Sequence, residues 1–117
     1  MTDFKDKRVL VVEDDYFIAM ELCRNLEAAG AEVVGPVGRV GEALAQIARS
    51  DGLDGALLDL NLHGAMAFPV ADKLCERGVP FVFATGYDGS VIPERYREVP
   101  RCRKPVELQS ISTVLFD

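Results

Sequence analysis

The sequence predicts an α/β fold in which a parallel sheet of five strands is covered by helices on both faces. Short apolar runs recur at 8–12, 56–62 and 81–84, with further strands expected at 31–35 and, as a short edge strand, at 100–103. They are continuous rather than alternating, the pattern of strands buried on both sides. Between them lie segments whose apolar residues recur at helical spacing, and parallel neighbours need such covering crossovers.

Residues 8–12 form a β-branched run that ends in acid at Glu13-Asp14-Asp15. Asp15 is a suitable N-cap for a helix of about fourteen residues, in which Ile18, Leu22, Leu26 and Ala29 share a face and Gly30 supplies the stop. The second strand, 31–35, is expected to end at Gly35-Pro36. Val40, Leu44, Ile47 and Ala48 then mark one face of a second helix. In the central stretch, 56–62, bounded by Asp51-Gly52 and Asp54-Gly55 before it and His63-Gly64 after it, an apolar run long enough for a buried strand ends on a single carboxylate, Asp59. A loop is expected over 63–67. A helix follows over 68–77, with Pro69 near its start, Val70, Leu74 and Cys75 inward and Gly78 as the stop. The strand 81–84 runs out at Thr85-Gly86. From Tyr87 to Pro100 the pattern decays, because Gly89, Pro93 and Pro100 interrupt it and its apolar anchors reduce to Val91, Ile92 and Val99. At most a short helix is expected there. A short edge strand over 100–103 and a last helix over 107–116, with Leu108, Ile111 and Leu115 inward, complete the chain.

At 117 residues and 49% hydrophobic, the chain can bury one sizeable core, and no polar or low-complexity tract divides it. A net charge of −6 argues against nucleic acid or an anionic membrane surface as partner. No apolar run approaches the length of a membrane span. Cys23, Cys75 and Cys102 are odd in number and lack metal-site spacing, so they read as small buried hydrophobes of a cytoplasmic protein.

In open parallel sheets, ligands bind outside the carboxyl ends of the strands. Those ends carry Glu13 and Asp14, Asp59, Thr85 and, after the last strand, Lys104. An isolated Asp59 would be read as closing its strand or capping a turn; its company changes the reading. Three carboxylates on one rim repel one another unless a cation sits among them. Magnesium, with its preference for hard oxygen ligands, suits a rim that offers no set of His or Cys ligands. Lys104 supplies a compact positive charge and Thr85 a hydroxyl, both suited to phosphoryl oxygens. Asp59 is left as the nucleophile, since aspartyl phosphate chemistry depends mainly on in-line positioning and cation neutralisation.

Four pieces, Val11-Val12-Glu13-Asp14, Leu58-Asp59-Leu60-Asn61, Ala84-Thr85-Gly86 and Lys104-Pro105, occur in that order. Together they resemble the receiver domains of two-component response regulators, and the resemblance covers essentially the whole chain. It implies a flavodoxin-like, doubly wound sheet with strand order 2-1-3-4-5. It also implies that a histidine kinase or histidine phosphotransfer protein phosphorylates Asp59. Magnesium would be held by Asp14 and Asp59, by Glu13 through water and by the Asn61 backbone carbonyl, while Thr85 and Lys104 would bind the phosphoryl group. Phe83-Ala84-Thr85-Gly86-Tyr87 further resembles the signature of a subgroup of single-domain receivers.

Two positions depart from the family pattern. Three residues before Lys104, where receivers carry a Tyr or Phe that reports phosphorylation, this chain has Arg101; Tyr87 is the candidate switch residue in its place. His63 replaces the usual Pro after the phosphoacceptor and reads as an exposed loop histidine. A phosphatase of the haloacid-dehalogenase type fits less well, because it needs a general acid two residues after the nucleophile and Asn61 cannot serve as one. A receiver-like module that binds without phosphorylation would have no need of Glu13, Asp14, Asp59, Thr85 and Lys104 together. The expectation is a single receiver domain over 1–117 without an output domain. It would act by binding another protein, with 87–100 as its candidate switch segment and at most self-catalysed phosphorylation and dephosphorylation.

Overall fold

The structure, a computed structural model, describes residues 4–62, 64–85, 93–96, 99–103, 111–112 and 115–116, with the backbone alone at 61, 85, 102 and 103. In chain order its elements are β1 (Arg8–Val12), α1 (Tyr16–Ala28), β2 (Glu32–Val37), α2 (Val40–Arg49) and β3 (Gly55–Asp59). Then come β4 (Asn61–Leu62), β5 (Ala65–Met66), α3 (Phe68–Glu76), β6 (Phe81–Thr85), a single 3₁₀ turn (Glu94–Tyr96) and β7 (Arg101–Arg103). Five strands pair in parallel in the order β2-β1-β3-β6-β7, while β4 and β5 form a separate antiparallel ribbon. Counting only the strands of the main sheet, this is the expected 2-1-3-4-5 order.

Continuous apolar runs arise here because both faces are covered. Val9, Val11, Leu57 and Val82 face one side, against Leu22, Cys23 and Leu26 of α1 and Ile111 and Leu115 of the C-terminal segment. Leu10, Val12, Ala56, Leu58, Phe81 and Phe83 face the other, against α2 and α3. Two buried cores on opposite sides of one sheet make the fold doubly wound. None of the described helices is long and apolar enough to cross a membrane.

The start and stop signals of α1 work as expected. The Asp15 side chain accepts a hydrogen bond from the Ile18 N–H at 3.1 Å. At the other end Gly30, with φ +96°, lets the Ala31 N–H reach back to the Leu26 carbonyl at 3.0 Å. Elsewhere the structure differs from expectation. β2 does not end at Gly35-Pro36 but runs on to Val37, because it is an edge strand and tolerates a missing donor. A register shift between Leu10 and Val12 absorbs the irregularity. β3 ends at Asp59, the carboxylate expected to close the central run, while 61–62 turns away to pair with 65–66, part of which was expected to be loop.

Two helical stripes also shift. In α2 it is Ala43, not Ala48, that is buried with Ile47. In α3, Ala71 is buried beside Val70 and Leu74, while Cys75 is exposed, so it is not the buried hydrophobe expected. The short helix expected within 87–100 is the 3₁₀ turn 94–96, and the edge strand is β7. Helical structure is described at 111–112 and 115–116, with Ile111 and Leu115 buried as expected; Leu108 lies outside the described residues.

Candidate functional site

β1 and β3 are neighbours with Val12 opposite Leu58, so the chain leaves β1 in step with the end of β3. Glu13 and Asp14 therefore emerge beside Asp59. One carboxylate oxygen from each of the three lies within 4.8 Å of the others. Glu13 is 4% exposed and Asp59 7%, whereas Asp14 is half-buried. Two of the three acids are thus largely withdrawn from water, and the third opens the cluster to solvent.

Backbone geometry holds this arrangement. The Glu13 N–H donates to the Val37 carbonyl at 2.9 Å, tying the end of β1 to the end of β2. Glu13 Oε2 accepts from the Asp15 N–H at 3.0 Å, so the residue that caps α1 also orients the first acid. Gly38 packs so closely that a Cβ there would lie 3.3 Å from the Asp14 Cα. On the other side Asp59 pairs in register with Ala84, and the Leu60 N–H reaches the Ala84 carbonyl at 3.4 Å.

The remaining residues expected at the rim are placed unevenly. Thr85 closes β6, next to the end of β3, and its register partner in β7 is Arg103. Asn61 opens β4, paired with Met66. Lys104, Tyr87 and His63 lie outside the described residues. Arg101 is exposed and stands opposite Phe83 in the β6–β7 register.

Sequence reasoning missed two aromatic features. Tyr16 and Phe17, at 69% and 81% exposure, form an edge-to-face pair on the first turn of α1, beside the acids. Their positions off the Ile18, Leu22 and Leu26 stripe were the available signal. Tyr96 is only 3% exposed although charged residues flank it, and no periodicity pointed to its burial. A separate cleft of about 440 Å³ lies at the entry end of β6, lined by Cys75, Pro80, Phe81, Arg95, Val99 and Leu115 among others. It sits at the opposite end of the sheet from the acids, and among the described residues no carboxylate lines it.

Oxygen donors alone, three carboxylates strong, fit a hard divalent cation better than a soft one. Such a cation would offset their mutual repulsion.

Neither a protein-family model nor a curated protein sequence matches the chain. Solved structures do. The chain is 38% identical to SdrG from Sphingomonas melonis Fr1, over 98% of this chain and 96% of that one, with a TM-score of 0.80. A BeF3-activated conformation of SdrG, from Pseudomonas melonis Fr1, is 39% identical over 92% of each chain, with a TM-score of 0.75. A response regulator receiver domain protein (CheY-like) from Methanospirillum hungatei JF-1 is 28% identical over 95% of this chain and 94% of that one, with a TM-score of 0.80. A response regulator protein from Burkholderia pseudomallei, solved with a phosphorylated aspartic acid, a calcium ion and citrate, shares the fold. It is 24% identical over 94% of this chain and 66% of that one, with a TM-score of 0.82.

Proposed function

This chain belongs to the response regulator receiver family, and on that premise we propose that it accepts a phosphoryl group on Asp59 in a two-component phosphorelay. The observation that carries the proposal is the convergence of Glu13, Asp14 and Asp59 within 4.8 Å at the carboxyl end of the sheet. A carboxylate oxygen of Asp59 attacks the phosphorus of a phosphohistidine, the P–N bond breaks, and the imidazole leaves with its electron pair. The donor is a histidine kinase or a histidine phosphotransfer protein. Magnesium is the metal proposed; Asp14 and Asp59, Glu13 through water and the Asn61 carbonyl would hold it, and it would supply charge neutralisation for the phosphoryl oxygens.

Thr85 and Lys104 are proposed as the residues that bind those oxygens; the support is that Thr85 closes β6 and that Lys104 follows β7 in the sequence. Tyr87, two residues beyond Thr85, is proposed as a switch residue of the Phe-Ala-Thr-Gly-Tyr subgroup. The domain is proposed to be a cytoplasmic signalling module rather than a turnover enzyme, with a protein-binding surface as its output. The exposed Tyr16–Phe17 pair beside the acids suits a donor that must lie over the rim to reach Asp59. Intact mass after incubation with acetyl phosphate and magnesium tests the assignment. One phosphoryl adduct is expected on the wild type and none on Asp59→Asn. An adduct on the variant would assign the chemistry to another residue.

A further inference from the structure

Three rings close a triangle on the α3 side of the sheet. Tyr96 stacks on Phe68 with centroids 5.6 Å apart and planes at 11°. Phe83 meets Tyr96 edge-on at 5.9 Å and Phe68 edge-on at 6.2 Å. The Tyr96 hydroxyl donates to the Phe68 carbonyl at 3.4 Å, and Phe83 is fully buried. Each ring is anchored to a different part of the molecule. Phe68 follows Ala67, whose N–H donates at 2.9 Å to the carbonyl of Leu60, the residue after Asp59. Phe83 stands two residues before Thr85 in β6, and its N–H donates at 3.0 Å to the Pro100 carbonyl. Tyr96 carries the 3₁₀ turn, which is closed by its own N–H to the Pro93 carbonyl and by the Val99 N–H to the Tyr96 carbonyl.

We infer that Tyr96 is a positioning residue that couples the phosphorylation state of Asp59 to the surface around residues 93–96 and 99–100, through its contacts with Phe68 and Phe83. The inference rests on the phosphoacceptor reading above. Its physical basis is that close-packed interiors do not absorb a displaced ring locally; they pass the shift to whatever the ring touches. A movement of the chain after Asp59 reaches Phe68 through the Leu60–Ala67 hydrogen bond, and a movement at the end of β6 reaches Phe83. Both press on one ring. Outside that ring lies the surface to be changed: the Arg95 guanidinium sits 4.6 Å over the Tyr96 ring and contacts Asp72 of α3 at 3.5 Å. Arg101, opposite Phe83 in the register but exposed, contributes no ring to this block.

The test uses the full isotopically labelled chain and beryllofluoride with magnesium as the phosphoryl mimic, read by amide shifts at two places. Shifts at 59–62 report occupancy, and shifts at 94–96 and 99 report the coupled surface. Both are expected in the wild type and in Tyr96→Phe, which keeps the ring. In Tyr96→Leu the shifts at 59–62 should persist while those at 94–96 and 99 fall below about half, the scale expected for loss of a coupling contact. Phe68→Leu, which removes the stacked partner and carries the test if Tyr96→Leu does not fold, should behave alike. A residue of purely structural importance would lower the melting temperature without changing the ratio of the two responses. Full shifts at 94–96 in both leucine variants overturn the inference, as does an occupied wild type that shows no response there. A wild type with no change at 59–62 overturns the phosphoacceptor reading instead, and the coupling falls with it.

Discussion

Replacing Asp59 with asparagine removes one charge from the acid cluster while keeping the shape of the side chain, so its effect on stability measures the repulsion stored there. With carboxylate oxygens no more than 4.8 Å apart, two unit charges repel by about 3.5 kcal/mol at an effective dielectric near 20, and by about 1 kcal/mol in bulk water. Asp59 takes part in two such pairs. The half-exposed position of Asp14 and the bonds these residues already make reduce the sum, leaving about 1–3 kcal/mol of net stabilisation expected in Asp59→Asn without divalent metal. For a domain of this length 1 kcal/mol corresponds to about 4 °C in melting temperature, so a rise of about 4–12 °C is expected in chelator. Magnesium should then stabilise the wild type more than the variant, because a cation that binds only the folded state adds its binding free energy to stability. Circular dichroism melts of both proteins, in chelator and in millimolar magnesium, give the four numbers needed. A variant that melts at or below the wild type in chelator, together with equal magnesium shifts, would refute the argument that the three carboxylates form one repulsive, cation-seeking cluster.

Asp14→Ala is expected to weaken magnesium binding more than Glu13→Ala, since Glu13 already spends one oxygen on the Asp15 N–H; equal affinities by titration would contradict this. Asp15→Ala removes the hydrogen bond to the Ile18 N–H and should cost about 1 kcal/mol in urea denaturation, with a larger loss pointing to a role beyond capping. Of the two cysteines described, Cys75 is exposed and should be alkylated first. Burial, and then the neighbouring Glu27 carboxylate, push the Cys23 thiol above its ordinary value, so less thiolate is present at mildly alkaline pH and its labelling should be slow. Peptide mapping that finds Cys23 labelled as fast as Cys75 would count against its burial.

The parallel sheet is legible in the sequence because burial on both faces writes itself as unbroken apolar runs, and the acids after such runs announce the rim. Leu60 and Leu62 continue that signal past the strand end at Asp59. Both are buried, at 5% and 1% exposure, yet neither belongs to the main sheet. Hydrophobicity reports withdrawal from water, not hydrogen-bond partners. Gly35-Pro36 misleads in the opposite sense: it reads as a terminator, but on an edge strand the missing donor has no neighbour to disappoint, and pairing resumes at Val37. Small residues are ambiguous in a stripe, which is why Ala43 and Ala71 take the buried places expected for Ala48 and Cys75.

What the chain does not spell out locally is proximity. Glu13 and Asp59 are recognisable one at a time, but their closeness depends on the Val12–Leu58 register between strands that a whole helix, a strand and a second helix separate. Tyr96 is the sharper case. Within Glu94-Arg95-Tyr96 nothing periodic marks it, and its burial is decided by Phe68, 28 positions earlier, and by Phe83. Phosphoacceptor chemistry belongs to strand ends and can be read from them, whereas the route from that chemistry to a partner depends on contacts between distant segments. Arg101, opposite Phe83 in the register, supplies no ring here, and the buried Tyr96 on the turn before β7 packs instead against Phe68 and Phe83.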